Sequence, residues 1–346
     1  MMKNDEMRKI RKKEHLDCFL DLKTNNDFFK EMILFNNSLP EIDYNDINMK
    51  INLFEKSCDL PIMINAITGG TKESLEINEK LALLSQKFNI PMAVGSQKIC
   101  LNDKEYIESF TKVRKIIGNG IVISNLSANS DYNDVSKAIE MINADAIQLH
   151  LNASQEILMN EGEKNFKGTI YNIEKIISKC NRPIIIKEIG TGISYDVAKR
   201  LSSIGVKYID VGGRGGTNFI KIENKRNVNY SYDTLESWGI PTLDSIILCN
   251  EADSNLTIFS SGGVRKPIHV IKSLILGASC VGISGEILRR LVTGGYKNAE
   301  DYLINMKENI KVLMMLLGCN KIRQLKEIKY IYGKEKYIKE FIKANY

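Results

Sequence analysis

Eight short runs of apolar, β-prone residues recur along the chain at intervals of about 24 to 48 residues, and this rhythm narrows the possible fold more than any other feature. The runs are PIMINAIT (61–68), PMAVGS (91–96), GIVISNL (120–126), AIQLHLN (146–152), PIIIKEI (183–189), YIDVGG (208–213), LTIFSSGG (256–263) and CVGISG (280–285). Near-continuous apolar strands imply burial on both faces, as in a parallel sheet covered by helices. The intervening segments read as helices. Ile77, Leu81, Leu84 and Phe88 form one apolar stripe, and Asn102 with Glu105 offers a capping box for the next helix. Eight strand–helix units close a (β/α)8 TIM barrel, an α/β fold, and 346 residues hold one barrel of about 250 with extensions. A doubly wound open sheet is the alternative, but no GxGxxG turn follows any strand. Residues 1–55 are expected to form an N-terminal extension and residues 56–346 the barrel, with closing helices over 286–346.

Composition excludes several function classes. Forty-eight Lys+Arg against 42 Asp+Glu leave a net charge of +6, too mild to suggest a nucleic-acid partner. The densest basic run is Lys9, Arg11, Lys12 and Lys13. Seven scattered cysteines form no CxxC pair or zinc-ligand spacing, so they are expected to be reduced and mostly buried in a cytoplasmic protein. No run approaches the roughly 18 apolar residues of a membrane span, so no membrane partner is expected.

In a barrel the active site lies at the C-terminal ends of the strands. Here those ends are polar and rich in glycine: Thr68-Gly69-Gly70, Gly95-Ser96-Gln97-Lys98, Ser124-Asn125, His150-Leu151-Asn152, Lys187-Glu188, Gly212-Gly213-Arg214, Ser261-Gly262-Gly263 and Ser284-Gly285. Loops after strands seven and eight, with exposed backbone N–H groups and a helix N-terminus, make a phosphate cradle, so a phosphorylated cofactor or substrate follows. Lys187 ends a strand of Pro and Ile. Its ammonium must meet an anion at the barrel mouth or pair with Glu188 or another barrel carboxylate. His150, Asn152, Gln155 and Glu156 form the densest polar group and are the catalytic and metal candidates. A carboxylate such as Glu156 beside a diphosphate suits Mg²⁺. His269 falls in a predicted surface helix after Pro267 and is assigned no role.

From Arg11 to about Leu288 the chain closely resembles the type 2 isopentenyl-diphosphate isomerases, FMN-containing TIM-barrel enzymes. Their RKxEH signature appears at residues 11–15, their MTGG stretch as Ile67-Thr68-Gly69-Gly70, and GSQ as Gly95-Ser96-Gln97. HLNxxQE spans 150–156, KExG spans 187–190, GGT ends at Thr217, WGIPT spans 238–242 and SGGxR spans 261–265. The joint order is specific, above all RKxEH with HLNxxQE.

The resemblance implies interconversion of isopentenyl and dimethylallyl diphosphate using reduced FMN, with NADPH as reductant and Mg²⁺, in a homo-oligomer (tetramer or octamer). It implies that Ala66, Ile67, Thr68, Ser96, Asn125, Lys187, Thr217, Gly262, Gly263, Val264, Ile283 and Ser284 line the FMN, where Lys187 would neutralise charge on the reduced ring. Arg11, Lys12, Ser96, Gln97, Lys98 and Gln155 would meet the substrate, His150, Asn152 and Gln155 would serve catalysis, and Glu156 would hold Mg²⁺. Ile67 replaces the family's usual Met, Gly212 a common Ser, and Ser127 a usual Gly.

Three rivals share parts of the pattern. An α-hydroxy-acid oxidase would need a His beside an Arg, yet the strand-six loop offers Arg214 and no His. A nucleotide dehydrogenase of the same fold would need a loop cysteine, and no cysteine falls at a strand mouth. A flavin-binding protein without catalysis has no use for the basic arm or the QE pair.

Overall fold

A computed structural model describes residues 11, 12, 14, 15, 17–22, 27–102, 104–227 and 230–346. The eight apolar runs supply eight strands: β1 (Ile62–Ile64), β2 (Met92–Ala93), β3 (Val122–Ser127), β4 (Ala146–Leu151), β5 (Ile184–Glu188), β6 (Tyr208–Asp210), β7 (Thr257–Ser260) and β8 (Cys280–Ile283). Each pairs in parallel with its neighbour in sequence, and β8 pairs with β1, closing the barrel. The open-sheet alternative does not form.

Strand period sorts the side chains into two sets. On β4, Ile147 and Leu149 join the large outer core against the helices, while Ala146 belongs to a separate inner cluster with Met63, Ala93, Ile123, Ile185 and Phe259. One step of the same parity higher, the inner positions turn polar: Asn65, Asn125, Gln148, Lys187 and Asp210, all buried. The apolar inner layer is plugged from below by an antiparallel hairpin, Ile51–Leu53 with Lys56–Cys58. Its two turn residues, Phe54 and Glu55, have φ of 49° and 63°. A turn of this hand suits two-residue hairpins but is unusual for Phe. Packing of the Phe54 ring on Tyr208 (5.3 Å) and Phe259 (6.3 Å) offsets that strain.

Three local expectations need correction. The helix after Asn102 starts at Glu108 with Ile107 at its cap, so the Asn102/Glu105 pair does not cap it. The C-terminal tail is not purely helical. Helices Gly285–Leu316 and Gly333–Asn345 flank a strand, Tyr330–Tyr332, that pairs with Met32–Leu34 of the extension. Its Tyr-Ile-Tyr sequence favours an extended backbone, but only a partner some 300 positions away, Met32 opposite Tyr332, reveals it. His269 is not on the surface: it is 2% exposed and stacks on Phe29 at 4.3 Å.

None of the seven cysteines forms a disulfide, and only Cys18 and Cys180 are partly exposed. Among the described residues, no helix is long and apolar enough to cross a membrane.

Gly212 holds the mouth of the barrel together. Its φ is +49°, and a Cβ there would lie 1.9 Å from Glu188 O of the neighbouring strand. Gly118 also has positive φ (+61°), but open space surrounds its Cβ position. Gly118→Ala should therefore cost only the strain of its own backbone conformation (φ 61°, ψ −118°), about 2 kcal/mol. Gly212→Ala should cost roughly 3 kcal/mol or more, because the β5 and β6 ends must separate. Urea midpoints of the two variants check this, and equal midpoints would refute the close approach.

Candidate active site

The strand ends open into one pocket of about 420 Å³, within the range of small-ligand sites. Ala66, Ile67 and Thr68 line it after β1, and Ser96 after β2. Asn125 reaches it from β3, His150 from β4 and Lys187 from β5. Thr217, then Gly262, Gly263 and Val264, then Ser284 come from the loops after β6, β7 and β8. Helix Ala153–Glu156 adds Gln155 and Glu156, with Asn152 at its N-cap, and helix Lys98–Asn102 adds Lys98.

Below the mouth, the polar inner layer is fully wired. Lys187 and Asp210 lie opposite each other on β5 and β6, and Lys187 Nζ is 3.0 Å from Asp210 Oδ2. Asp210 is completely buried and takes three further donors: Asn65 Nδ2 at 2.7 Å, Ser261 Oγ at 2.5 Å and Gly212 N at 3.3 Å. Lys187 also donates to Ser261 Oγ and Glu188 O, each at 3.1 Å. A buried pair stripped of such partners would suffer from desolvation, so this saturation is what lets two charges sit inside the barrel. Of the alternatives for Lys187, pairing with a barrel carboxylate is realised, through Asp210 and not Glu188. The same Lys187 still faces the pocket.

The arm folds over the mouth. Its described residues up to position 21 are helical, and Arg11, Lys12, His15 and Phe19 line the pocket. Lys12 Nζ donates to Gly69 O and, at 3.5 Å, to Ser96 O, while Arg11 Nη1 lies 3.6 Å from Met159 Sδ. His15 Nε2 is 2.8 Å from Glu223 Oε1 on helix Phe219–Arg226, and Gln155 Nε2 donates to the same oxygen at 2.7 Å. Asn152 Nδ2 donates to Gln155 Oε1 at 3.0 Å, so both ends of the Gln155 amide are held. Arg226 clasps Glu14 at 2.9 Å, Glu161 at 3.0 Å and its helix neighbour Glu223. Burial works to raise the Glu223 carboxyl, but hydrogen bonds from His15 and Gln155 hold it below the usual range. Arg289 fixes the other end of the arm through the carbonyls of Phe19 (2.9 Å), Leu20 (2.7 Å) and Leu22 (3.1 Å).

Two expected site residues lie outside the pocket lining. Gln97 is wholly buried: its amide donates to Ala138 O at 2.9 Å and accepts from Asn125 N at 3.1 Å and from Ser124 Oγ. It braces Asn125 and does not face a ligand. Ile283 has the outward parity of β8, is 2% exposed and packs in the outer core. Lys98 does reach the pocket, with its charge matched by Asp134. Sequence reasoning missed Glu223, Asp210, Asn65 and Gln148. A lone polar residue at an inward position of an apolar strand, as in AIQLHL or YID, was the available signal for Gln148 on β4 and Asp210 on β6.

The donor set fits a flat, phosphate-tailed cofactor. The loops after β6 and β7 pack backbone on backbone: a Cβ on Gly262 would lie 2.0 Å from Gly213 O, and one on Gly263 2.5 Å from Gly215 O. Thr242 Oγ1 locks this turn by donating to Gly262 O at 2.6 Å. The N-terminus of helix Gly285–Leu316 opens beside it through Ser284 and Gly285, which is an anion-binding arrangement. For a metal, Glu156 brings one carboxylate to the pocket, with Oε2 accepting from Glu163 N at 2.9 Å. Among the described residues, no group of three or more His, Cys, Asp or Glu side chains is arranged to hold a metal ion. One protein carboxylate is what Mg²⁺ uses when substrate phosphate oxygens complete its shell.

Comparison with known proteins agrees with this architecture. Residues 122–331 match the family of FMN-dependent dehydrogenases. Proteins named isopentenyl-diphosphate delta-isomerase are similar over nearly the whole chain. One from Staphylococcus epidermidis is 36% identical over 334 residues, 96% of this chain and 95% of its own. One from Staphylococcus aureus is 36% identical over 333 residues, with the same coverage of both chains. Among solved structures, a lactate oxidase of Pediococcus acidilactici superposes with a TM-score of 0.67 at 17% identity, covering 91% of this chain and 86% of its own. Mandelate oxidase with (S)-2-phenylpropionate gives 0.65 at 16%, covering 89% and 88%. At such identities the likeness concerns the fold alone.

Burial, reinforced by the charges of Lys187 and Arg11, pushes His150 down to about 4, and burial pushes His269 down to about 4 as well. Both rings are therefore neutral at neutral pH. Below about 6.5 the unfolded chain binds protons on these rings that the folded chain refuses. Their contribution to stability is thus lost as pH falls from there toward 4. Glu188, raised to about 7 by burial, acts in the opposite sense and loses its contribution as pH rises through that value. Ring resonances of His150 and His269 should stay constant from pH 8 down to about 5. A midpoint near 6.5 for His150 would show an open, solvated ring.

Proposed function

The chain belongs to the isopentenyl-diphosphate delta-isomerase family, FMN-dependent in type, and from that membership we propose that its pocket interconverts isopentenyl and dimethylallyl diphosphate with reduced FMN and Mg²⁺. The observation that carries this reading is that one pocket combines a glycine phosphate cradle, a buried cation at Lys187 and a basic arm with a neutral histidine and a clamped glutamine. A division into an arm-bearing extension (1–55) and an FMN-binding barrel (56–346) follows from it.

Moving the double bond requires a proton to be added to a weakly basic alkene carbon and another to leave C2. Reduced FMN, when bound, supplies a mobile proton at a ring nitrogen. Thr68, Ser96, Asn125 and Thr217 would orient the flavin, and Gly262, Gly263 and Ser284 would take its phosphate. Lys187 would hold the negative charge of the reduced ring, a role it can play because Asp210 keeps its ammonium in place. Arg11, Lys12 and Ser96 would bind the diphosphate, with Glu156 holding Mg²⁺ against it. Lys98 contributes less charge than expected, since Asp134 already pairs with it. His150 is neutral and offers a lone pair. Gln155, fixed by Glu223 and Asn152, presents one amide orientation to the substrate. NADPH would reduce the flavin without being consumed in each turnover. A cytoplasmic homo-oligomer, tetramer or octamer, completes the reading. The exposed cross-strand pair Ile33 and Ile331, with Phe35 beside it, offers apolar surface for such contacts.

Incubation with isopentenyl diphosphate, FMN, NADPH and Mg²⁺ in D₂O should yield deuterated dimethylallyl diphosphate, with NADPH loss far below product formed. One-for-one oxidation of NADPH would make the protein an oxidoreductase and overturn the assignment.

Arg11→Ala with Lys12→Ala should raise KM at least about tenfold while leaving FMN affinity unchanged, as expected for side chains that add charge-assisted contacts to substrate and none to the flavin. Unchanged kinetics would return the arm to a solvated basic run.

Glu156→Gln keeps the shape of the side chain and removes its charge. It should raise the Mg²⁺ concentration needed for half-maximal rate without changing the thermal midpoint. A normal Mg²⁺ dependence would point to Glu163 or another carboxylate.

A further inference from the structure

The polar layer under the pocket has a direction. Asp210 receives four donors, from Asn65, Lys187, Ser261 and Gly212, so its carboxylate acts purely as acceptor. Asn65 must therefore turn its NH₂ toward Asp210 and its carbonyl away. A second anchor demands the same orientation: Ala66 N, which can only donate, meets Asn65 Oδ1 at 2.9 Å. Gln148 Nε2 then donates to Asn65 Oδ1 at 2.8 Å, which points Gln148 Oε1 at Asn125, whose Nδ2 donates to it at 3.0 Å. What remains at the end of the file is Asn125 Oδ1, 3.0 Å from His150 Nδ1. A carbonyl oxygen cannot donate, so Nδ1 must carry the hydrogen.

We infer that Asp210, on β6, acts as a positioning residue that fixes the tautomer of His150, on β4, through the single file Asn65–Gln148–Asn125, leaving Nε2 as a bare acceptor for the pocket. Reversing any one amide would set N–H against N–H or oxygen against oxygen. Asn65 and Gln148 are fully buried and Asn125 is 3% exposed, so water cannot repair the mismatch. The file also works against the free imidazole's own preference for a hydrogen on Nε2. The neutrality of the ring, argued above, makes the tautomer a meaningful quantity at neutral pH.

The catalytic consequence rests on the proposed function: a base or hydrogen-bond acceptor at Nε2 is useful only if substrate sits against His150. The tautomer itself does not depend on that reading, so the two can fail separately.

The chain has three histidines, which makes the test direct. Full-length protein labelled with ¹⁵N in histidine is examined at pH 7 by two-bond ¹H–¹⁵N correlation, both FMN-loaded and FMN-free. Signals are assigned with His15→Gln and His269→Gln. His150 should show a protonated Nδ1 and a bare Nε2, with the Nδ1–H form in excess by at least about tenfold in both states, as one buried mismatch would dictate. Gln148→Leu cuts the file at its middle while leaving Asp210, Lys187, Asn125 and His150 in place. The excess should then fall at least about tenfold, toward the free-imidazole ratio. Gln148→Met, closer in shape, stands in if the leucine variant does not fold. Gln148→Glu, kept protonated by burial, can still donate to Asn65 Oδ1 and accept from Asn125 Nδ2, and should retain the wild-type ratio. A wild-type His150 mainly protonated on Nε2, or a ratio untouched by cutting the file, would overturn the inference. Loss of isomerase activity with the Nδ1–H form intact would count against the function alone.

Discussion

An ammonium and a carboxylate lie side by side inside a closed barrel, and the rest of the site is arranged around keeping them there. The Lys187–Asp210 pair spans β5 and β6 in the layer just under the pocket, where neither charge can be hydrated as it would be in water. Removing one partner from such a pair typically costs about 3–5 kcal/mol, because the other is stranded. Ser261 and Gly212 are tied to the same carboxylate, so the loops after β6 and β7 take their positions from it. Those loops carry the glycine turn, and the turn shapes the phosphate end of the pocket. A constraint of charge burial thus becomes a constraint on where a cofactor can lie.

The interior is layered by chemistry. Apolar side chains and the Phe54 hairpin seal the bottom, amides and one ion pair occupy the middle, and backbone N–H groups with small polar side chains form the rim. Each layer solves a different problem. The bottom supplies cohesion through burial, the middle carries polarity without solvent, and the rim remains open to ligands. Such ordering explains how an oxidase-like barrel, shared at 16–17% identity with mandelate and lactate oxidases, can host another chemistry.

The barrel was legible because burial on both faces leaves an apolar signature in every strand, and because glycine clusters mark strand ends. Most of the pocket was legible for the same reason: Thr68, Ser96, Lys187 and Gly262 follow directly from knowing where strands stop. Parity was harder. Ile283 is one residue from Ser284, yet the pleat sends it to the outer core, and an apolar run does not announce which face is which. Gln97 belongs to a motif that points at substrate, but its side chain turns inward to brace Asn125. Asp210 and Glu223 escaped notice because their importance lies in partners distant in sequence, Asn65 and His15, that only the closed barrel brings near. The Tyr330–Tyr332 strand escaped for a similar reason: three residues make no periodic pattern of their own.

That last strand has a consequence for how the protein comes to life on the ribosome. Its partner, Met32–Leu34, is synthesised ahead of every barrel strand, whereas Tyr330–Tyr332 follows all eight. The ribbon between them cannot close until all eight barrel strands have been made. The barrel strands can assemble earlier, as domains do during vectorial synthesis, but the extension that leads from the arm stays untethered at its strand until Tyr330–Tyr332 emerges. A nascent chain can therefore present a finished barrel before a secured arm, and the late strand, not the barrel, sets the moment at which that tether forms.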